Sequence, residues 1–331
     1  MKHIQFHPTN SCNLDCVFCW RHHDKRKHED ASPGRFLELT KEACMMGPDS
    51  ITISGGGEPL LRAGLVREMI AEIKGSGARG SGIGESGIRE SGIRADGIGG
   101  VLITNGCLIS PGFADHLIRS QWDEVQFSIF GAKPETDDLI KGRSGSFRKL
   151  VGSLHHLNKA KKNSGSHLPR LVFRYIVTRH NYLELYELAE LAAKTGVSGV
   201  FVRHVNEGPR GGLSITGPEM AVFRDQVSRS QQLCLLKNIS MKLEMELDGP
   251  GAGTAGASGR CPVIDSEMVV FATGMASPCC NFFEEQFSGN GLQDANILSL
   301  AAARRGFENL RSAPKCIQCT RDMKAHIDDV Y

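Results

Sequence analysis

Cys12-Asn13-Leu14-Asp15-Cys16-Val17-Phe18-Cys19 closes the first β-like run of the chain, His3–Pro8, and sets three thiols at a C-x3-C-x2-C spacing. Iron–sulfur clusters are held by Cys thiolates, and a cubane bound through only three of them keeps one iron open to a small molecule. The chemistry of the chain is therefore expected at that open corner. The competing reading is a zinc knot of three cysteines completed by His22 or His23. Zinc sites more often carry C-x2-C pairs on both sides, which this run lacks.

Working outward, the next β-like run, Ser50–Ser54, leads into Gly55-Gly56-Gly57-Glu58-Pro59. A glycine triplet alone marks any tight turn; directly after a strand and beside the cysteine run it says more. The two stretches together resemble the radical S-adenosylmethionine (SAM) enzymes, whose signature also has an aromatic residue before the last cysteine, here Phe18. The resemblance implies that Cys12, Cys16 and Cys19 bind a 4Fe-4S cluster whose free iron is chelated by the amino and carboxyl groups of SAM. It also implies that Gly55, Gly56, Gly57 and Glu58 flank the methionine moiety.

The remaining composition is that of an ordinary globular enzyme. The 331 residues are 40% hydrophobic and 23% charged, enough for one large domain and a smaller one. Thirty-nine basic against 37 acidic residues leave a formal charge of +2, which argues against nucleic acid as a partner. A β-like run within two residues of the start leaves room for neither a signal peptide nor a membrane span, so a cytoplasmic protein is expected. In that reducing compartment, eleven cysteines point to metal or catalytic roles rather than disulfides.

Up to about residue 205, β-like runs alternate with amphipathic helical patterns, which predicts an α/β fold with a parallel sheet. The six strand candidates are His3–Pro8, Ser50–Ser54, Val101–Thr104, Val125–Phe130, Leu171–Val177 and Gly199–His204. The clearest helix lies between the last two, with Asn181 as cap, Glu184 in the capping-box position, an apolar face of Leu185, Leu188, Ala189 and Ala192, and Gly196 as its end. Six units suit the partial (β/α)6 TIM-like barrel that the resemblance implies, in residues 1–215. Active sites of such barrels form at the C-terminal ends of strands, where both motifs fall. Residues 75–100 repeat SGIGE, SGIRE, SGIRA and DGIGG, a Gly/Ser tract expected to be a flexible surface insertion. Residues 216–260 read as a helix leading away from the barrel, from Pro218 to Asn238, followed by a Gly/Ala/Ser linker.

Residues 261–331 carry a second thiol group: Cys261, Cys279, Cys280 and the C-x2-C pair Cys316 and Cys319. A β-hairpin is predicted from Glu267 to Cys279 and a helix over Leu298–Arg311. The arrangement resembles the small α+β SPASM or twitch extension of radical SAM enzymes. With five candidate thiols rather than seven, the resemblance implies one auxiliary 4Fe-4S cluster on Cys261, Cys279, Cys316 and Cys319, with Cys280 as the alternative to Cys279. A four-cysteine zinc ribbon is the competing reading.

The resemblance further implies that an external one-electron donor such as flavodoxin or ferredoxin reduces the first cluster. SAM is then cleaved to a 5′-deoxyadenosyl radical that takes a hydrogen atom from substrate, and the auxiliary cluster accepts an electron, as in a dehydrogenase-like oxidoreductase. Asn105, Ser128, Arg143 and Arg174 are candidate contacts to SAM by strand-end position and likeness to the family. Arg203 and His204 could face substrate. Cys107 is a candidate hydrogen-atom donor, with plain burial as the opposing reading, and no general base is identified. The barrel starts without a preceding peptide-recognition domain, which favours a small alcohol or sugar-like substrate. A peptide- or protein-modifying maturase is the alternative, and a non-enzymatic iron–sulfur carrier or zinc module is the alternative of another class. Replacing residues 76–99 with a short Gly-Ser linker is expected to leave SAM cleavage intact, measured as 5′-deoxyadenosine formed by the anaerobically reconstituted, reduced protein.

Overall fold

The computed structural model describes residues 2–19, 29–76, 97–205, 212–245 and 266–277. The chain divides into two compact units, the first of residues 1–11, 27–102 and 252–331, the second of residues 12–26 and 103–251.

The first unit is built on β1 (His3–Phe6), α1 (Pro33–Met45), β2 (Ser50–Ile53), α2 (Ala63–Ser76) and the start of β3 (Gly99–Thr104). β1 pairs in parallel with β2, and β2 with Gly99–Leu102 of β3. β2 is buried along its whole length, as expected of a parallel strand covered on both faces. Ser32 caps α1 through Arg35 N, and Phe36, Leu39 and Ala43 form its buried stripe. α2 buries Leu65, Val66, Met69, Ile70 and Ile73. The helix stops at Ser76 and β3 begins at Gly99; most of the pentapeptide repeat lies outside the described residues.

The second unit continues with α3 (Pro111–Arg119), β4 (Glu124–Ile129), α4 (Pro134–Lys141), α5 (Ser146–Ser164), β5 (Arg170–Val177), α6 (Leu185–Lys194), β6 (Gly199–His204), α7 (Gly217–Leu236) and β7 (Ser240–Glu244). β4 to β7 pair in order and all in parallel. Trp122, Phe127, Phe173 and Tyr175 are fully buried around them. Neither unit's sheet closes on itself, so the predicted α/β class with an open parallel sheet is what the chain adopts. All six expected strands form, with ends shifted by at most two residues.

Two expectations are corrected, and a third, the hairpin, is met within the described residues. Residues 217–236 do form a helix, but α7 packs against α6 and returns the chain to a seventh parallel strand, β7, beside β6; it does not lead away. The predicted hairpin forms from β8 (Glu267–Val270) and β9 (Ala276–Ser277) around Gly274, whose φ is +82°. β8 lies in the first unit's sheet, in parallel with β1 and with His3 opposite Glu267. Asn181 is not a helix cap. The N-cap of α6 is Glu184, whose carboxylate instead accepts from Ala132 N and Thr136 Oγ1.

Asn181 is 1% exposed and fully used by the backbone. Its Oδ1 accepts from Thr178 N at 2.6 Å, and its Nδ2 donates to Phe130 O and Ile176 O, both at 2.8 Å. It thus ties the end of β4 to the end of β5. Asn181→Ala would strand these buried groups, and each orphan costs about 1–3 kcal/mol. The expected loss is about 3 kcal/mol, read as a lower urea midpoint at unchanged slope.

Candidate functional site

The two motifs fall in different units, and each is described on its own. In the first, β1 and β2 both give way to loops at their C-terminal ends. Asp30 anchors one of them, accepting from Thr9 Oγ1 and Asn10 N. The glycine run lies alongside it: Gly57 N donates to Thr9 O at 2.9 Å and Glu58 N to Ser11 O at 2.8 Å. This approach needs the missing side chain, because a Cβ on Gly57 would overlap the Ser11 carbonyl. Glu58 is buried, and its Oε1 accepts from Leu60 N at 3.0 Å, capping the short 3-10 turn Pro59–Arg62. Its carboxylate has a structural task there, while Gly55 to Gly57 present backbone.

The second unit holds the thiol loop. Asp15 N donates to Lys141 O at 3.1 Å and Val17 N to Ile140 O at 2.9 Å. The last carbonyls of a helix have no partner within it; here the cysteine loop supplies two donors to the end of α4. Gly142 follows with φ +64°, and a Cβ on it would overlap Asp15 O. Phe18 meets the edge of Phe130 at 4.9 Å between centroids, and Cys19 N turns back to Cys16 O at 2.9 Å.

Cys12, Cys16 and Cys19 are all half-buried and reduced. Burial pushes the Cys16 thiol up to about 12, reinforced by Cys19 and Cys12 and opposed by Lys141. The three sulfurs therefore share one electrostatic neighbourhood. Among the described residues, no three His, Cys, Asp or Glu side chains converge closely enough to hold a single metal ion. His22 and His23, the fourth ligands of the zinc reading, lie outside the described residues, as do Cys261, Cys279, Cys280, Cys316 and Cys319.

The other sequence candidates take the following places. Asn105, at the end of β3, donates from Nδ2 to Asn13 Oδ1 at 2.8 Å, with Cys12 Sγ at 3.9 Å, and its Oδ1 accepts from Cys107 N. Its amide holds the thiol loop. Cys107 is half-buried with its sulfur toward Ser146 O at 3.7 Å. Ser128 on β4 stands opposite Arg174 on β5. Arg174 donates to Gln126 Oε1 at 2.7 Å and lies 3.7 Å from Glu244, which Arg203 approaches at 3.5 Å. Arg143 is exposed in the turn after α4.

Sequence reading missed the support beneath the loop. Asp137 and Lys141 form a fully buried ion pair at 2.9 Å, and Asp137 Oδ1 also accepts from Phe130 N. Burial pushes the Asp137 carboxyl up, against the pull of Lys141 and that N–H. Asp138 accepts from Gly145 N, Ser146 Oγ and Phe147 N and so caps α5; burial works against its charge, but these donors hold its carboxyl below the ordinary value. The Asp137/Lys141 spacing of four on a helical run was the available signal.

Residues 6–192 match the family model described as the Radical SAM superfamily. The chain belongs to the radical SAM superfamily. Over 190 residues it is 30% identical to "Mycofactocin maturase MftC" of Mycolicibacterium smegmatis, a match covering 57% of this chain and 41% of that protein. It thus spans less than half of that relative's length. Its fold is similar to that of Streptococcus suis SuiB bound to precursor peptide SuiA, with a TM-score of 0.65 at 14% identity over 96% of this chain and 69% of the other. It is likewise similar to anSMEcpe with bound AdoMet and Cp18Cys peptide, with a TM-score of 0.64 at 16% identity over 96% and 87% of the two chains. These likenesses agree with the expected open, partial-barrel architecture.

The radical SAM family implies a 4Fe-4S cluster and SAM, and the loop fits the former. Three soft sulfur donors on one loop are the donor set that such clusters take. Gly142→Ala and Gly145→Ala both place Ala at positive φ, a strain of about 1–2 kcal/mol, but a Cβ on Gly145 meets nothing within 4 Å. Gly142→Ala is expected to bind markedly less iron per chain after reconstitution, while Gly145→Ala keeps the wild-type content.

Proposed function

We propose that this radical SAM enzyme modifies a peptide or protein substrate. The similarity to a protein named as a maturase carries this reading, and the peptide-bound solved structures of the same fold support it. A small alcohol or sugar-like substrate, the first expectation from sequence, finds no support among these relatives. A carrier without catalysis would leave the glycine run at β2 without a purpose.

When bound, the cluster supplies the electron that splits SAM and so opens radical chemistry on the substrate. Cys12, Cys16 and Cys19 are the proposed ligands, held in register by the α4 carbonyls and the Asn105 amide. The backbone of Gly55, Gly56 and Gly57, with Glu58 fixing the turn behind it, is assigned to the methionine end of SAM. Ser128 and Arg174, neighbours in register on β4 and β5, are assigned to its polar groups. Arg143 keeps the same assignment from its position after Gly142. Arg203 and Glu244 extend this polar row along β6 and β7, where a substrate backbone could bind. Cys261, Cys279, Cys316 and Cys319, with Cys280 in reserve, are assigned to an auxiliary 4Fe-4S cluster, which would supply an electron acceptor for a net oxidation. A flavodoxin- or ferredoxin-type donor is the proposed electron source.

The test is anaerobic incubation of the reconstituted, dithionite-reduced protein with SAM and such short peptides as neighbouring genes encode, one carrying deuterium on its carbon-bound positions. Deuterium in 5′-deoxyadenosine together with a changed peptide mass is the expected result. 5′-Deoxyadenosine without label or peptide change would remove the peptide reading, and none at all, in the presence of a cluster, would remove the enzymatic one.

A further inference from the structure

A cationic side chain lies sealed beneath the thiol loop, and the ligand assignment does not use it. Lys141 is the last residue of α4 and is wholly buried, as is its counter-ion Asp137, one turn earlier. Burying such a pair is costly, and replacing it with apolar residues is often neutral or stabilising, so stability alone does not explain it. Nζ lies 2.9 Å from Asp137 Oδ2 and 5.7 Å from the centre of the Phe130 ring, which Phe18 of the loop touches edge-on.

The charge lies beside the ligand loop, across the Phe130 ring that both Lys141 Nζ and Phe18 meet. Lys141 is coupled to the loop mechanically as well, because its carbonyl accepts from Asp15 N at 3.1 Å. Any shift of the lysine backbone therefore moves with the ligands. Cluster potentials are set by net charge, hydrogen bonds to sulfur and solvent exposure. Adding an electron to a thiolate-bound core raises its negative charge, and a cation in a low-dielectric shell favours that step far more than one in water.

We propose that Lys141 is a positioning residue for electron entry, its buried ammonium, held beneath the loop by Asp137, raising the reduction potential of the cluster held by Cys12, Cys16 and Cys19. The inference rests on reading that loop as the cluster site. It has a sign. Removing the cation lowers the potential, and neutralising the anion paired with it raises the potential, whereas a merely structural pair would move both variants alike or neither.

The test is EPR-monitored redox titration of the reconstituted full-length protein, following the signal that changes on addition of SAM. Lys141→Met is expected to titrate lower by at least tenfold in the one-electron equilibrium, about 59 mV, Asp137→Asn higher, and Lys141→Arg within threefold of wild type. Iron and sulfide content is measured alongside. Midpoints unchanged in loaded Lys141→Met and Asp137→Asn protein, or shifted in the same direction, would overturn the proposal. If Lys141→Met takes up no cluster, Asp137→Asn and Lys141→Arg decide it: a raised midpoint in the first with the second near wild type supports the proposal, and any other pattern overturns it. Wild-type protein that shows no SAM-responsive signal would instead overturn the cluster reading on which the inference stands.

Discussion

Two backbone hydrogen bonds, from Asp15 and Val17 of the thiol loop to the terminal carbonyls of α4, are the constraint on which the candidate site depends. A loop with three ligand thiols has no regular structure of its own to hold them. A helix end, conversely, has carbonyls that must find donors from outside. Each needs what the other has, and Gly142 permits the approach by lacking a side chain at the point of contact. The ligand loop is thereby shaped before any ligand arrives, and ordering it then costs less entropy on binding.

The glycine run follows the same economy in the first unit. Its N–H groups engage the carbonyls of Thr9 and Ser11, so the chain running into Cys12 is fixed by backbone rather than by side chains. Loops in both units thus rely on bare main chain where close approach matters. Side chains expected at the cofactor also brace the backbone: Glu58 caps a turn, and Asn105 holds Asn13.

How much of this could be read in advance followed the range of the interactions involved. The parallel strands were legible because continuous apolar runs such as Leu171–Phe173 announce burial on both faces. The motifs were legible because cysteine and glycine at fixed spacing have few other uses. Asn181 misled because its position before an apolar helical face imitates a cap, while its partners lie on β4 and β5, up to 51 residues away. β7 was missed because Ser240–Glu244 is short and polar, and only its pairing with β6 makes it a strand. Asp137 and Lys141 went unread, since four-residue spacing on a helix says nothing about which face is buried.

The parallel pairing of β1 with β8 has a consequence for how the chain is made. His3 and Glu267 are register neighbours, yet ribosomes add about 5–20 residues per second, so one edge of the first strand waits roughly 15–50 s for its neighbour to be synthesised. During that interval its unpaired amides and carbonyls are open to any passing strand. The emerging chain is thus exposed to misassociation along that edge of β1, and the nascent protein calls for shielding there until β8 has left the tunnel.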